Sequence, residues 1–362
     1  MVNEKIRKEL EKKHYKVFNH NGVQICEWTK KSLRGADICY KEKFYGVNCH
    51  RCMQFSPTVA HCNMNCVFCW RPNEFMYTQF SEKIDEPEQI ISILVEQRKQ
   101  LLSGFGGNEN VNKEKFEEAL KPDHFAISLA GEPTLYPKII NLIEYLTKIA
   151  RTVFLVTNGT RPEVLEKIKP KSNFQLYISL NAPNKEKFFE ICRPAKKEEW
   201  ENFNKSLEVM RDFKGRKVIR LTLIKNLNLD EKFIDNYLKL IEKASPDFLE
   251  VKAFMSLGYA KKRLGNSYMP SFEEIKKFAA KISKKSDYII EDEELIELSK
   301  RNSIFQYYLG FLNKKLDGRF NEEYFTNNVN LEELEKELEE VDLQNLSADE
   351  IFGKFTYLYE YL

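Results

Sequence analysis

The sequence has no long hydrophobic run. Across 362 residues no apolar stretch approaches the ~18 that a helix needs to cross a bilayer, and charged residues make up 31% of the chain. Residues 1–10 are rich in charge where a secretory signal would have an apolar core. Internal repeats and low-complexity linkers are also missing. These absences argue against a membrane-spanning or exported protein and predict a soluble one in the reducing cytoplasm.

Cysteine is nearly absent outside one segment. Seven of the eight cysteines lie between residues 26 and 69, and Cys192 stands apart. Thiols that are kept reduced are more often metal ligands or catalysts than disulfide partners. The clustering therefore predicts a metal-binding segment, whereas Cys192 is predicted to be a buried thiol.

The small net charge of +2 hides a polarised chain. Residues 1–52 contain 12 Lys and Arg against 6 Asp and Glu, and residues 315–362 contain 4 against 13. A basic surface is typical of proteins that meet a polyanion, but lysine-rich surfaces also arise for solubility alone. The charge pattern leaves both interpretations open.

Short apolar runs alternate with longer helical patterns after residue 52. Strands are predicted at 53–60, 125–129, 153–156, 174–180, 218–224 and 248–254, with helices between them. Strands separated by helices of this length indicate βαβ crossovers, so the fold class is α/β with a parallel sheet. Ligands of such sheets gather at the carboxyl ends of the strands.

Three regions follow from these patterns. Residues 1–52 begin with a predicted helix at 3–16 and then show weak periodicity around four cysteines, so a metal site is expected to order them. Residues 53–290 carry the strand and helix units. Residues 291–362 are predicted to be a helical, acidic appendage with a leucine stripe at 331–338.

A CxxxCxxC loop follows the first predicted strand. Cys62, Cys66 and Cys69 could hold three corners of a [4Fe-4S] cluster, because soft thiolates suit iron in that form. The fourth iron would then be open to the amino and carboxylate groups of S-adenosylmethionine. A structural zinc site using His61 or a distant ligand is the alternative, although no second ligand pair follows downstream.

This loop and its position resemble those of the radical S-adenosylmethionine superfamily. The resemblance covers residues 53 to about 290 and implies a (β/α)6 partial TIM barrel. It also implies that polar groups leaving the second, third and fourth strands bind S-adenosylmethionine. Those residues are Gly131, Glu132, Thr157, Asn158, Ser179 and Asn181. Ordinary turn formation is the alternative explanation for them.

A closer resemblance extends over residues 40–46, 50–54 and 62–72. These segments are similar to the 4-demethylwyosine synthase family of wybutosine biosynthesis. The resemblance implies that Cys26, Cys39 and Cys52 hold a second [4Fe-4S] cluster. It also implies that Lys41 forms an imine with pyruvate, with Lys43 as the fallback. Cys49 replaces a usual serine and is either a fourth ligand or a bystander.

The reaction implied by this family is a lyase-type radical condensation on tRNA. It joins N1-methylguanosine, 3′ of the anticodon of phenylalanine tRNA, to two carbons of pyruvate and releases formate. The base must be flipped out of the anticodon loop to react. Eukaryotic members of this family carry a flavodoxin-like domain that this sequence is not expected to contain. An external electron donor such as a flavodoxin or ferredoxin is therefore expected. We also expect a monomer.

Cationic and aromatic side chains are candidates for RNA contact. They are Lys5, Lys8, Lys12, Lys30, Lys31, Arg34, Lys261, Lys262 and Arg263, with Tyr259 and Tyr268 for stacking. Two other functions stay open at this point. One is a two-cluster radical enzyme acting on a peptide or small molecule, and the other is a zinc-organised RNA-binding protein.

Overall fold

The computed structural model describes residues 4–169, 171–292 and 297–300. Within them, ten strands form one sheet in the order β1-β2-β3-β4-β5-β6-β7-β8-β10-β9. The strands are β1 (Lys16–Phe18), β2 (Asn21–Gln24), β3 (Cys52–Ser56), β4 (His124–Ile127), β5 (Thr152–Thr157), β6 (Phe174–Ser179), β7 (Arg216–Leu223), β8 (Phe248–Ala253), β9 (Tyr288–Asp292) and β10 (Glu297–Lys300).

Six of these strands, β3 to β8, pair in parallel in chain order. They are the six strands predicted from the sequence, so the α/β class is confirmed. The helices are α1 (Glu4–Glu11), α2 (Glu27–Leu33), α3 (Tyr40–Tyr45), α4 (Pro87–Leu102), α5 (Lys113–Ala119), α6 (Ile139–Ile149), α7 (Pro162–Leu165), α8 (Lys185–Cys192), α9 (Glu199–Asp212), α10 (Ile234–Ala244), α11 (Gly258–Arg263) and α12 (Phe272–Lys284). None of the described helices is long and apolar enough to span a bilayer.

The sheet separates an outer core from an inner one. Alternate residues of a strand point to opposite faces, so Met53 and Phe55 pack outward against the helices. Inner-face side chains of neighbouring strands meet in a second cluster, which contains Ala126, Phe154, Tyr177, Val218 and Phe248. Val47, which follows α3, packs against the same cluster. Because side chains from β4 to β8 contact one cluster, the sheet curves into a partial barrel around them.

Two antiparallel additions extend the parallel sheet at its edges. Strands β1 and β2 form a hairpin, and β2 pairs with β3. At the other edge β10 pairs with both β8 and β9. The sequence pattern predicts neither hairpin, and it predicts helix from residue 291, where the structure has the end of β9 and then β10. The predicted leucine stripe at 331–338 lies outside the described residues.

The N-terminal helix α1 is shorter than the predicted 3–16. It buries Ile6 and Leu10 against Val17 and Leu129. The chain then reverses through His14 at φ 61°, which ends the helix before β1. This packing attaches the N-terminal region to the carboxyl edge of the sheet, because Leu129 follows β4.

Candidate active site

The loop after β3 brings the three cysteines of the CxxxCxxC motif together. Cys62, Cys66 and Cys69 are partly buried free thiols, and Cys62 interacts electrostatically with the other two. Burial raises the pKa of Cys69 to about 11 and that of Cys62 well above its usual value. These thiols are therefore protonated without metal, and iron would displace their protons on binding.

The arrangement differs from the ligand set of a single ion. Among the described residues, no three His, Cys, Asp or Glu side chains converge closely enough to hold one metal ion. A cubane cluster binds each thiolate at a separate iron corner, so its ligands need not converge on a point. The donor set, three thiols on one short loop, fits three corners of such a cluster.

Cys192 is buried beside this loop, as the sequence predicted, and contacts a proposed ligand. Its thiol hydrogen-bonds with Cys66, which together with burial raises the pKa of Cys66 well above its usual value. The backbone of the same segment also binds the loop, because Asn65 N–H donates to the Cys192 carbonyl at 3.1 Å. The isolation of Cys192 in the sequence gave no sign of this contact.

Arg263 on α11 supports the loop from the other side. Its Nη1 donates to the Cys69 carbonyl at 2.5 Å and to the Val67 carbonyl at 3.2 Å. Its Nη2 donates to the Arg71 carbonyl at 3.0 Å, and its Nε pairs with Glu74 at 2.6 Å. The Arg263 guanidinium is thus engaged by the cysteine loop, and its predicted contact with RNA phosphates stays a prediction.

A buried amide network holds the loop at its first cysteine. Asn63 Nδ2 donates to Thr160 Oγ1 at 2.8 Å and to Glu199 Oε1 at 2.9 Å. Asn63 Oδ1 accepts from Asn158 Nδ2 at 2.9 Å. The side chain of Asn158 thus helps to fix the loop, and its predicted role in cofactor binding stays a prediction.

Glu132 joins the exits of β4 and β5. Its buried carboxylate accepts hydrogen bonds from Thr134 Oγ1 and Thr157 Oγ1, both at 2.6 Å, and from Asn158 N at 2.7 Å. Burial raises the pKa of Glu132, although these bonds oppose the shift. Two predicted cofactor residues, Glu132 and Thr157, are therefore bonded to each other.

Gly131 allows the β4 exit to touch the cysteine loop. Its φ is +70°, and a Cβ at this position would lie 1.9 Å from the Thr58 carbonyl oxygen and 2.5 Å from that of His61. A side chain cannot be accommodated there. The glycine thus brings the backbone at the β4 exit against the loop that carries the three thiols.

Two residues predicted to bind S-adenosylmethionine, Ser179 and Asn181, lie at the end of β6. Ser179 is partly buried, and Asn181 is 7% exposed. Within the described residues, Asn181 Oδ1 has no hydrogen-bond donor. A buried, unsatisfied oxygen at this edge of the barrel is suited to a hydroxyl or ammonium donor of a bound ligand.

The N-terminal cysteines form a second group at the opposite end of β3. Cys26 precedes α2, Cys39 precedes α3 and Cys52 opens β3. Each interacts electrostatically with the other two. Burial raises the pKa of Cys26 and raises that of Cys52 to about 12, whereas a hydrogen bond from Cys49 lowers that of Cys39. Three chain segments thus supply one thiol each to a common site.

Cys49 is a buried neighbour of this group. Its thiol donates to the sulfur of Cys39, and the backbone N–H of Cys39 lies 2.9 Å from its sulfur. Its own backbone N–H donates to Glu42 Oε2 at 2.9 Å. Cys49 thus contacts one member of the predicted cluster set and is anchored by a carboxylate.

Lys41 points into the barrel beside the second cysteine group. Its Nζ lies 3.7 Å from the centroid of the Phe154 ring and 5.6 Å from that of Tyr177. The side chain is buried, and this burial lowers the pKa of Lys41, although Cys52 and Cys39 oppose the shift. Lys43, the fallback, is exposed. The position predicted from the sequence is therefore the one that faces the interior.

An ion pair that the sequence pattern does not predict lies inside the barrel. Arg220 Nε lies 2.6 Å from Glu250 Oε2, and Arg220 Nη2 donates to the Tyr40 hydroxyl at 2.9 Å. Both charged residues interact electrostatically with Lys41. A signal was present, because Arg220 and Glu250 carry opposite charges in the middle of neighbouring strands, at positions that the register pairs.

The cysteine loop and this interior match known families. Residues 56–238 match the radical SAM superfamily, and residues 243–295 match a family described as wyosine base formation. The second range contains α11, which supplies Arg263. The comparisons favour neither the zinc-organised RNA-binding protein nor a radical enzyme acting on a peptide.

Individual relatives are similar over most of the chain. The tRNA 4-demethylwyosine synthase of Pyrococcus abyssi is 44% identical over 80% of this chain and 86% of its own. That of Methanocaldococcus jannaschii is 40% identical over 81% of this chain and 94% of its own. A solved structure described as TYW1 with a lysine-pyruvate adduct bound has 38% identity and a TM-score of 0.75, over 83% of this chain and 97% of that one. The protein is therefore an enzyme of the radical S-adenosylmethionine superfamily and belongs, within it, to the tRNA 4-demethylwyosine synthase family.

Proposed function

We propose that this enzyme makes 4-demethylwyosine by joining N1-methylguanosine, 3′ of the anticodon of tRNA, to two carbons of pyruvate, whose carboxyl carbon is released as formate. The observation that carries the proposal is the buried amine of Lys41, which faces the barrel interior beside the second cysteine group. A lysine amine can form an imine with a keto acid when desolvation favours its neutral form.

Cys62, Cys66 and Cys69 would hold one [4Fe-4S] cluster and leave its fourth iron for S-adenosylmethionine. Cys26, Cys39 and Cys52 would hold a second. When bound, the first cluster and S-adenosylmethionine supply a 5′-deoxyadenosyl radical that removes a hydrogen atom from the N1-methyl group. Asn181 Oδ1, Ser179 and the backbone at Gly131 are the groups best placed to hold the nucleotide cofactor.

The interior charges would select an anionic keto acid. Lys41 and Arg220 lie near one interior carboxylate, Glu250, which pairs with Arg220 and also lies 3.5 Å from the exposed amine of Lys252. A small carboxylate entering this space would meet excess positive charge, and guanidinium groups bind carboxylates in a fixed geometry. Arg220 retains donors beyond those given to Glu250 and Tyr40, so it can hold the carboxylate while Lys41 attacks the carbonyl and water leaves.

Trapping with borohydride tests the role of Lys41. Purified enzyme is incubated with labelled pyruvate and then reduced, which makes an imine permanent as a stable amine. The wild type should retain one label on the peptide containing Lys41, and Lys41→Ala should retain none. Lys43→Ala is the matched control, because Lys43 lies on the same short helix but is exposed. Equal labelling of Lys41→Ala and wild type, or loss of label in Lys43→Ala alone, contradicts the assignment.

The remaining partners belong to the same proposal. The reaction needs an electron from outside the described barrel, so an external donor such as a flavodoxin or ferredoxin is proposed. Free thiols that serve as cluster ligands require a reducing compartment, which supports a cytoplasmic location. We also propose that the enzyme acts as a monomer, which sedimentation of the anaerobic protein would check.

A further inference from the structure

Three large apolar side chains are exposed together beside the cysteine loop. Trp70 is 48% exposed, Met255 54% and Leu257 42%. Tyr259 N–H donates to the Trp70 carbonyl at 3.1 Å. A Cβ on Gly258 would lie 2.5 Å from the same oxygen, so the segment after β8 lies directly against Trp70. We call Trp70, Met255 and Leu257 the rim patch.

The rim patch lies at the carboxyl edge of the barrel. Trp70 ends the loop that follows β3, and Met255 and Leu257 follow β8. Because β3 to β8 run parallel, their carboxyl ends share one edge. The patch therefore lies next to Cys69, on the side where a substrate must enter to reach the cysteine loop.

Cations surround the rim patch. The Arg71 guanidinium lies 4.7 Å from the centroid of the Trp70 ring. Lys13 and Lys262 lie 4.4 Å and 5.2 Å from the centroid of the Tyr259 ring. The nearby carboxylate of Glu9 accepts from the Tyr259 hydroxyl and pairs with Lys12. Positive charge therefore prevails around an exposed aromatic surface.

We infer that the rim patch is the surface on which unpaired bases of the anticodon loop stack. Exposed aromatic rings with flanking cations are the combination that binds single-stranded nucleic acid, since bases stack on the ring and phosphates meet the cations. The inference rests on the proposed tRNA substrate. It replaces the predicted stacking role of Tyr259, whose hydroxyl is bonded to Glu9 and whose ring is covered by two lysines.

Binding of a short RNA tests this inference. The probe is a fluorescent anticodon stem-loop containing N1-methylguanosine, and its anisotropy is measured with the anaerobic, cluster-loaded enzyme. Trp70→Ala should weaken binding on the order of tenfold, and Trp70→Phe should restore most of the affinity because a ring remains. Met255→Ala and Leu257→Ala should each weaken binding about threefold, from lost apolar contact.

A matched control lies at the other edge of the barrel. Ile149 is 51% exposed at the end of α6, just before β5 begins, and Ile149→Ala should leave RNA affinity unchanged. Trp70→Ala should also leave the slope of affinity against salt unchanged, whereas Lys262→Gln should lower it by about one. Iron content of each variant shows whether the adjacent loop is intact.

Two outcomes overturn the inference. One is RNA affinity within twofold of wild type for all three alanine variants. The other is unchanged RNA affinity with slower reduction by a reduced flavodoxin, which would make the rim patch a surface for the protein donor. Failure of the proposed function would look different, since the wild type would bind the stem-loop but form no tricyclic base with pyruvate.

Discussion

Arg220 is the interior residue that most directly tests how the keto acid is held. Changing it to Gln removes the charge but keeps two donors on a shorter side chain. We expect the pyruvate concentration for half-maximal borohydride trapping on Lys41 to rise about tenfold, because a hydrogen bond between charged groups is lost. The measurement is labelled pyruvate bound per chain across a concentration series.

Glu250→Gln provides the opposite change at the other end of the same ion pair. Without the Glu250 carboxylate, the positive charge of Arg220 is no longer neutralised. The pyruvate concentration for half-maximal trapping should therefore stay the same or fall. Breaking a buried pair destabilises a protein, so thermal unfolding of each variant and of the double variant is measured alongside. Weaker trapping in both single variants would point to a structural role for the pair rather than carboxylate binding.

Single residues were predicted best where a local motif fixed them. Lys41 lies two residues after Cys39, which precedes a short helix, and its place in the motif predicted a lysine held near the second cysteine group; its role in catalysis stays a prediction. Arg220, and the contact of Arg263 with the cysteine loop, were not predicted, because their partners lie 30 or more residues away in the chain, at Glu250 and Cys69. Only the strand register and the docking of α11 bring them together.

The contact between α11 and the cysteine loop leads to a prediction for the first cluster. Arg263→Gln removes most of the hydrogen bonds that hold the carbonyls around Cys69, so the reconstituted cluster should lose iron to a chelator roughly tenfold faster. The readout is iron release followed by absorbance, with the electron paramagnetic resonance spectrum of the reduced cluster as a second measure.

Lys261→Gln is the control for this change, because Lys261 is an exposed cation two residues away on the same helix. Its cluster should be as stable as that of the wild type. Equal iron release from Arg263→Gln and wild type would show that the loop holds the cluster without support from α11.

The β1–β2 hairpin contains a histidine whose protonation should weaken the fold. His20 Nδ1 donates to the Pro57 carbonyl at 2.6 Å, and its Nε2 accepts from Asp85 N–H at 3.1 Å. This arrangement requires the neutral ring. Burial lowers the pKa of His20 below its usual 6.5, although the bond to Pro57 and the nearby carboxylates of Asp85 and Glu82 oppose the shift.

The sign of the pH effect follows from that shift. With a folded pKa below the unfolded one, the stability contributed by His20 is complete above pH 6.5 and is lost as the pH falls through the folded pKa. Thermal unfolding of the wild type should shift to lower temperature between pH 7.5 and 5.5. His20→Gln should be less stable at pH 7.5 and less sensitive to pH, and an equal pH dependence in both proteins would contradict this account.

Long elements were predicted better than short ones, for a physical reason. Helix α4 and the strands β5 to β8 show periodic apolar patterns because each buries a face or both faces. Strand β2 has four residues and includes Gly22, so its pattern is too short to distinguish it from a turn. It is ordered by pairing with β3, a long-range contact that local periodicity does not record.

At the scale of the molecule, one strand links the two cysteine groups. Cys52 opens β3 and the loop of Cys62 follows it, and five residues of strand at ~3.3 Å each separate the groups by roughly 15 Å. Lys41 and Arg220 face the interior that lies beside this strand. In the proposed function, the keto acid therefore binds near one group and the nucleotide enters near the other.

The cysteine assignment predicts how much iron the whole chain holds. Anaerobic reconstitution of the wild type should give about eight irons and eight sulfides per chain, since two cubane clusters form. Replacing Cys62, Cys66 and Cys69 by Ala should leave about four, and replacing Cys26, Cys39 and Cys52 should do the same. Only the second variant should still release deoxyadenosine from S-adenosylmethionine under dithionite.

Cys49→Ser separates the two possible roles of the remaining thiol. If Cys49 acts only by hydrogen bonding to Cys39, the serine variant should keep about eight irons, because a hydroxyl can donate in place of the thiol. If Cys49 is a fourth ligand, the second cluster of the variant should show an altered spectrum and should admit pyruvate to its freed iron. A wild type with only about four irons would exclude the second cluster, and pyruvate would then be held by the imine at Lys41 and by Arg220 alone.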